Sequence, residues 1–406
     1  MRTAPAVALV TAAALLGDTL LYSALPVNAV RLGLGPLAVG LILSLNRWIR
    51  LFTNPVAARF YERVPAGLLI LVALGLGVAS TAAYALPAML VLFLAARCVW
   101  GMSWSLLRLG TLLSAIEGSA SVPVAEGQRP RTGRALGNTR AIYGLGYLGG
   151  ALYAPFAVES FGWERAALGA AVLTLLLGIG PALTVNDWRR EVDVDEREEA
   201  AVRRSLVDPR FRALFLVASA QYAVGAGLVP VGGGLRVGEI FSGGGAILAI
   251  PVAATVIAGA FVLGQRVAQV GWTLVAGRFA DRALAATFVG STVVAATAML
   301  ALAYAHDATA FVVLGTVSFL SGITSTVALE LAIAHRTSPA DRPRILGAYT
   351  TWADGGAAAG ALGAGTLVGL AGTQAPLLVA ALLTAATLAA AFGVAPRQVA
   401  VGASVR

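Results

Sequence analysis

Asn46 to Arg63 reads NRWIRLFTNPVAARFYER, and Gln265 to Arg282 reads QRVAQVGWTLVAGRFADR, one pattern repeated 219 positions later. In this alignment Arg47 meets Arg266, Ala58-Arg59-Phe60 meets Gly277-Arg278-Phe279, and Glu62-Arg63 meets Asp281-Arg282. Between these anchors Arg50 faces Gln269 and Asn54 faces Thr273. Each copy closes an apolar run, so the chain reads as a duplicated membrane protein. A second pair of stretches agrees: Gly133-Arg134-Ala135-Leu136-Gly137 matches Pro343-Arg344-Ile345-Leu346-Gly347. In that register Gly149-Gly150-Ala151-Leu152 falls on Ala359-Gly360-Ala361-Leu362, small residues that permit close helix approach in lipid.

Of the 406 residues, 58% are hydrophobic and only 12% charged. Soluble domains carry about 25% charged residues, so most of this chain belongs in lipid. All 29 basic residues are arginine. The single cysteine, Cys98, excludes an internal disulfide and a multi-cysteine metal site. His306 and His335 are too far apart for a local metal motif, and neither HExxH, GxSxG nor a GK[ST] phosphate loop occurs. The chain is therefore not read as an enzyme, direct ATP drive is unsupported, and no cofactor is expected.

A hydrocarbon core takes roughly 20 apolar residues per helix. Twelve spans follow, at about 5–29, 36–57, 66–86, 88–113, 135–158, 165–184, 211–231, 246–276, 284–304, 309–333, 344–369 and 375–394. The start, Met1-Arg2 then Ala4 to Leu16, could pass for a secretory signal, but apolar character continues through Asp18 to Val30. It is read as an uncleaved first span. Gly232 to Gly234 and Ser242 to Gly245 are expected in an outer loop.

Arginine placement sets the orientation. With the N-terminus inside, the outer loops hold only Arg31, Arg165 and Arg236. Both termini are then cytoplasmic, and the chain is a multi-pass protein of the cell membrane (the inner membrane in a bacterium). The net charge of +9 reflects this bias rather than nucleic-acid binding. Asn186 to Arg210, of mixed sign, is the natural linker, giving a bundle over 1–184, a cytoplasmic linker over 185–210 and a second bundle over 211–406.

Taken together these features resemble the major facilitator superfamily over essentially the whole chain. Its signature between spans two and three is a Gly-x-x-x-Asp-Arg core, matched by Gly277 to Arg282; the first copy has Ala58 for the glycine and Glu62 for the aspartate. Neither copy carries the trailing basic residues. Arg97-Cys98-Val99-Trp100-Gly101 is similar to the family's Arg-x-x-x-Gly motif. Gly146, Gly149 and Gly150 are similar to its glycine-rich antiporter motif, without the Gly-Pro pair. The resemblance implies an all-α membrane protein of two pseudo-symmetric six-helix bundles that rock about a midplane site. It also implies gating roles for Arg59, Glu62, Arg63, Arg278, Asp281 and Arg282.

Spans three, six, nine and twelve carry no charge in their apolar cores, whereas the others carry Asp18, Arg47, Arg50, Arg97, Arg108, Arg140, Arg266, Glu330 and Asp354. A charge at the bilayer centre costs at least about 2.5–3.5 kcal/mol, so such residues face a cavity or a partner. Arg47, Arg50 and Asn54 share one helical face, repeated by Arg266, Gln269 and Thr273. Arg47 lies roughly 16 Å into its span, too deep to snorkel easily. It either lines the cavity or pairs with a neighbouring helix. Asp18 serves as a proton carrier or as an arginine partner, with Glu330 and Asp354 as further proton-coupling candidates. Arg97 contacts substrate or holds helix four against helix one. Arg108 and Arg140, near the inner ends, snorkel or pair at a gate. Tyr143 and Tyr147 pack or bind.

Six intramembrane arginines against three acids leave positive charge in the passage, which concentrates anions. The candidate substrate residues are thus Arg47, Arg50, Arg97, Arg266, Gln269, Tyr143 and Tyr147. The function read here is secondary active, proton-coupled transport of a small organic anion or zwitterion by a monomer in the bilayer. A multidrug or metabolite efflux proton antiporter, or a non-transporting sensor of the same fold, are the alternatives.

Overall fold

The computed structural model describes residues 3–86, 89–120, 132–185, 211–336 and 342–390, with some helical side chains excepted. Twelve helical rods follow in order: α1 (Thr3–Asn28), α2 (Pro36–Arg63), α3 (Ala66–Ala83), α4 (Leu90–Ala120), α5 (Thr132–Phe161), α6 (Trp163–Leu183), α7 (Arg212–Ile240), α8 (Ala254–Arg282), α9 (Leu284–Ala303), α10 (Ala308–His335), α11 (Arg342–Ala371) and α12 (Ala375–Ala386). Eight of them, among the described residues, are long and apolar enough to cross a membrane by length and composition. The linker expected at 185–210 falls almost wholly outside the described residues. One end of the molecule carries the α1–α2 loop and is called the loop end; the other receives the chain between α6 and α7 and is called the linker end.

Two expectations are corrected. Gly232 to Gly234 are not loop but lie within α7, which runs on to Ile240 and takes Arg236 with it. Glycine disfavours helix by about 1 kcal/mol per residue, yet here packing wins. A Cβ on Gly232 would sit 2.5 Å from Pro376, one on Gly233 2.9 Å from Phe261, and one on Gly234 2.8 Å from Pro26. Three neighbours press on three consecutive residues, and only bare backbone admits them all. The second correction is the start of α8, at Ala254 rather than 246, because Gly245–Ile247 (β1) and Ile250–Val252 (β2) form an antiparallel hairpin. Its turn residues Leu248 and Ala249 have φ of 50° and 68°, the positive values a two-residue hairpin turn demands.

Within each half the first and fifth helices meet through glycines spaced four apart. A Cβ on Gly146 of α5 would lie 2.1 Å from the Ala12 carbonyl oxygen of α1, and Gly150 abuts Leu16 and Thr19. In the other half a Cβ on Gly356 of α11 would lie 2.0 Å from the Ser219 oxygen of α7, and one on Gly360 2.0 Å from the Ala223 oxygen. These matched approaches are small-residue packing of the kind that replaces hydrophobic drive in lipid. They also fix a register in which Asp18 of α1 corresponds to Gly225 of α7. That position lies in a π-helical turn, Val224–Leu228, interrupting α7.

The apolar core shows how the halves meet. At the loop end one cluster runs through both, joining Leu25, Leu34 and Val39 to Leu228, Leu235 and Phe261. Nearer the linker end each half has its own cluster, one around Tyr61, Leu69 and Leu107, the other around Phe215, Phe288 and Leu329. Close approaches between the halves follow the same division. Gly40 of α2 meets Gly365 of α11, Pro155 of α5 meets Gly259 of α8, and Pro26 of α1 meets Gly234 of α7. The halves are sealed at the loop end and have separate cores at the other.

Candidate functional site

Charge enters the first half through α1 and α4. The Asp18 carboxylate accepts from Arg97 Nη1 at 2.6 Å, and Arg97 Nε donates to the Ile42 carbonyl of α2 at 3.1 Å. Arg97 is fully buried. Ions in such a place persist only when paired and hydrogen-bonded. Tyr22, one turn beyond Asp18 on the same face of α1, lies 5.6 Å from the Arg97 guanidinium and 6.0 Å from that of Arg47. Its hydroxyl donates to the Leu43 carbonyl at 3.1 Å and accepts from Arg47 Nε at 3.4 Å.

Midway along the molecule the two repeat-related arginines reach across the boundary between halves. Arg47 of α2 donates through Nη2 to the Ala226 carbonyl in the π-turn of α7, at 3.2 Å. Arg266 of α8 lies 4.9 Å over the ring of Tyr147 on α5 and 5.4 Å over that of Phe319 on α10. Cation–π contact with a desolvated guanidinium contributes about 2 kcal/mol. π-turns break the ordinary helical pairing and recur at functional sites. Here the turn puts a carbonyl within reach of an arginine from the opposite half.

Towards the linker end, Asp354 of α11 is held by both guanidiniums of the first half that face it. Arg50 Nη2 lies 3.4 Å from one carboxylate oxygen and Arg108 Nη1 lies 3.2 Å from the other. Arg50 is buried, whereas the Arg108 side chain is 43% exposed, so water reaches one side of this cluster. In the second half, Gln221 Nε2 donates to Ser325 Oγ at 2.6 Å, and its Oε1 accepts from Thr326 at 3.2 Å. The Tyr349 hydroxyl donates to Glu330 at 2.9 Å, with Tyr222 edge-on to its ring.

The expected site residues therefore fall in three groups. Arg47, Arg266 and Tyr147 gather at the centre, and Tyr143 packs near the first half's linker-end core. Arg97 with Asp18, and Arg50 with Asp354, form ion pairs on either side of that centre. Arg59, Arg63, Arg278 and Arg282 are exposed at the linker ends of α2 and α8. Side chains of Glu62, Gln269, Asp281, Arg140 and Thr273 lie outside those described. The sequence reading missed Tyr22, Phe319, Gln221 and the Ala226 carbonyl. Tyr22 was findable, since it follows Asp18 at helical spacing; nothing in local sequence marks the π-turn beyond Gly225 and Gly227.

The family model described as Major Facilitator Superfamily matches residues 7–271. No curated protein matches the chain. Among solved structures, the nucleoside transporter NupG has a TM-score of 0.78 at 13% identity, covering 97% of this chain and 99% of its own. A POT family transporter in complex with 5-aminolevulinic acid has a TM-score of 0.74 at 11% identity, covering 97% of both chains. The human organic anion transporter MFSD10 (TETRAN) has a TM-score of 0.62 at 18% identity, covering 96% of this chain and 99% of its own. At such identities the likeness is one of fold.

Proposed function

The chain belongs to the major facilitator superfamily, whose members are secondary transporters, and we propose that it carries a small organic anion or zwitterion between its two halves, coupled to protons. The observation that carries this reading is Arg47. Its guanidinium stands at the boundary between the halves with neutral partners among the described residues, the Tyr22 hydroxyl and the Ala226 carbonyl. Asp18 is engaged by Arg97, and Asp354 by Arg50 and Arg108. A half-buried cation whose bonds go to neutral oxygens gains most from an anionic ligand. Arg266 reaches the same boundary from the other side. The fold relatives named for an organic anion and for bound 5-aminolevulinic acid are in keeping with this.

Protons enter through the acids. Protonating Asp354 removes the charge that holds Arg50 and Arg108, and protonating Asp18 does the same for Arg97. Each step frees guanidiniums to take part in anion binding, so proton and substrate occupancy are linked, with Glu330 as a third candidate. The arginine bias supports a cytoplasmic linker end. On that orientation the conformation described is closed outward, with the α2 and α8 termini bearing the gate residues.

Flux into proteoliposomes, with and without a pH gradient, tests the reading. A panel of organic anions, zwitterions, cations and neutral solutes should yield gradient-dependent uptake of a carboxylate-bearing member, reduced at least about tenfold by Arg47→Ala, the loss of one charge-assisted contact. Uptake of a cation or neutral solute that is indifferent to Arg47→Ala, Arg266→Ala would sink it.

A further inference from the structure

A cavity of about 960 Å³ opens at the loop end, above the seal between the halves and away from the central arginines. It falls within the roughly 300–1,000 Å³ typical of small-molecule sites. Its walls come from both halves, with Glu159 and Arg31 from the first and Glu239, Thr255 and Thr373 from the second among apolar neighbours. Glu159 and Glu239 are exposed to this space. Thr255 donates to Glu159 at 2.7 Å, a bond between the halves.

Arg236 makes the place more than a pair of carboxylates. It lies on α7 one turn before Glu239 and is only 3% exposed. Its Nη1 reaches Thr373 Oγ1 at 3.4 Å, while Nε and Nη2 have no partner among the described residues. Thr373, which lines the cavity, donates in turn to Glu239. A buried guanidinium with Nε and Nη2 idle is costly; Arg236 stands behind the cavity wall and reaches it through Thr373, which lines it. An acid and a base at this spacing have Cβ atoms about 5–6 Å apart. One hydroxyl is the described link between them, and that hydroxyl is the kind of group a ligand displaces.

We propose that this loop-end cavity is a second binding site, taking a small amino-acid-like zwitterion whose carboxylate meets Arg236 and whose ammonium meets Glu239 and Glu159. The ligand replaces Thr373 between the acid and the base. Its ammonium competes with Thr255 for Glu159, which removes one bond across the seal. The site thus collects solute at the mouth and loosens the closure beneath it. The inference rests on the transporter reading, but not on which solute the central arginines hold.

The test is thermal stabilisation of the full chain in nanodiscs by three probes of one shape: leucine, isopentylamine and 4-methylpentanoate. Leucine is expected to half-saturate at a concentration about tenfold below either singly charged probe. The Arg47→Ala, Arg266→Ala double variant should retain this preference. Glu239→Gln should raise the midpoint for leucine and amine about tenfold while sparing the acid, and Arg236→Gln should bring leucine level with the amine. Glu159→Gln, at an exposed wall position, repeats the Glu239→Gln result should Arg236→Gln fail to fold. Equal effects from all three probes, no effect from any, or a leucine response lost in the central double variant and intact in Glu239→Gln and Glu159→Gln, overturns the proposal. A failure of the central reading shows separately, as flux indifferent to Arg47→Ala.

Discussion

The two halves share their packing and differ in their charges. Gly146 and Gly150 seat α5 on α1 in the same way that Gly356 and Gly360 seat α11 on α7. Where the first half then places Asp18, paired with Arg97, the second has Gly225 inside a π-turn. The first half is thus braced by a buried ion pair that ties α1 to α4 and, through Ile42, to α2. The second joins α7 to α10 by a carboxamide and two hydroxyls at Gln221, Ser325 and Thr326. Duplication preserved the backbone approaches, because nothing but glycine fits them. It left the polar positions free to diverge, so one half holds the Asp18–Arg97 ion pair where the other holds a π-turn.

This contrast can be broken in order of severity. Arg97→Ala strands the Asp18 charge and should cost about 3–5 kcal/mol, read as unfolding in nanodiscs; replacing both with apolar residues of similar size should recover most of it. Gly146→Val and Gly356→Val should each cost about 1–3 kcal/mol or more, because each forces side-chain atoms against backbone. Equal losses at these two sites would sharpen the claim of shared packing, and unequal ones would break it. Asp354→Asn should cost about 1–3 kcal/mol, because it leaves the buried Arg50 without its counter-ion, while the exposed Arg108 loses little. Its larger effect is to widen the spin-label distance across the linker end, as acidification that protonates Asp354 should in the wild type. Ser325→Ala should cost about 0.6 kcal/mol, the usual scale of an interhelical hydrogen bond in lipid. Smallest of all, Gly225→Ala meets open space and should fall between neutral and a gain of about 0.4–1 kcal/mol.

The sequence carried the architecture well, since the spans come from long apolar runs and the halves from Arg47 aligning with Arg266. It also pointed to Asp18, Arg97 and Asp354, because an ion in an apolar helix demands a partner. It did not say which partner. Asp18 choosing Arg97, and Asp354 choosing Arg50 and Arg108 from the other half, depends on how helices rotate against one another. Local propensity misplaced Gly232 to Gly234 because three glycines read as loop until Pro376, Phe261 and Pro26 press on them. Arg236 was lost with them, and the loop-end cavity with it.

The π-turn also sets an angular phase. An ordinary α-helix advances about 100° per residue, and the turn at Val224–Leu228 holds the two segments of α7 out of step by one extra residue. Deleting one residue there and restoring regular pairing would swing Val229–Ile240 by roughly that angle relative to Arg212–Ala223. Gln221 would keep its hydroxyl partners while Arg236 and Glu239 rotated off Thr373. One inserted residue therefore keeps one stretch of a single helix bonded to α10 and the other turned toward the wall of the loop-end cavity.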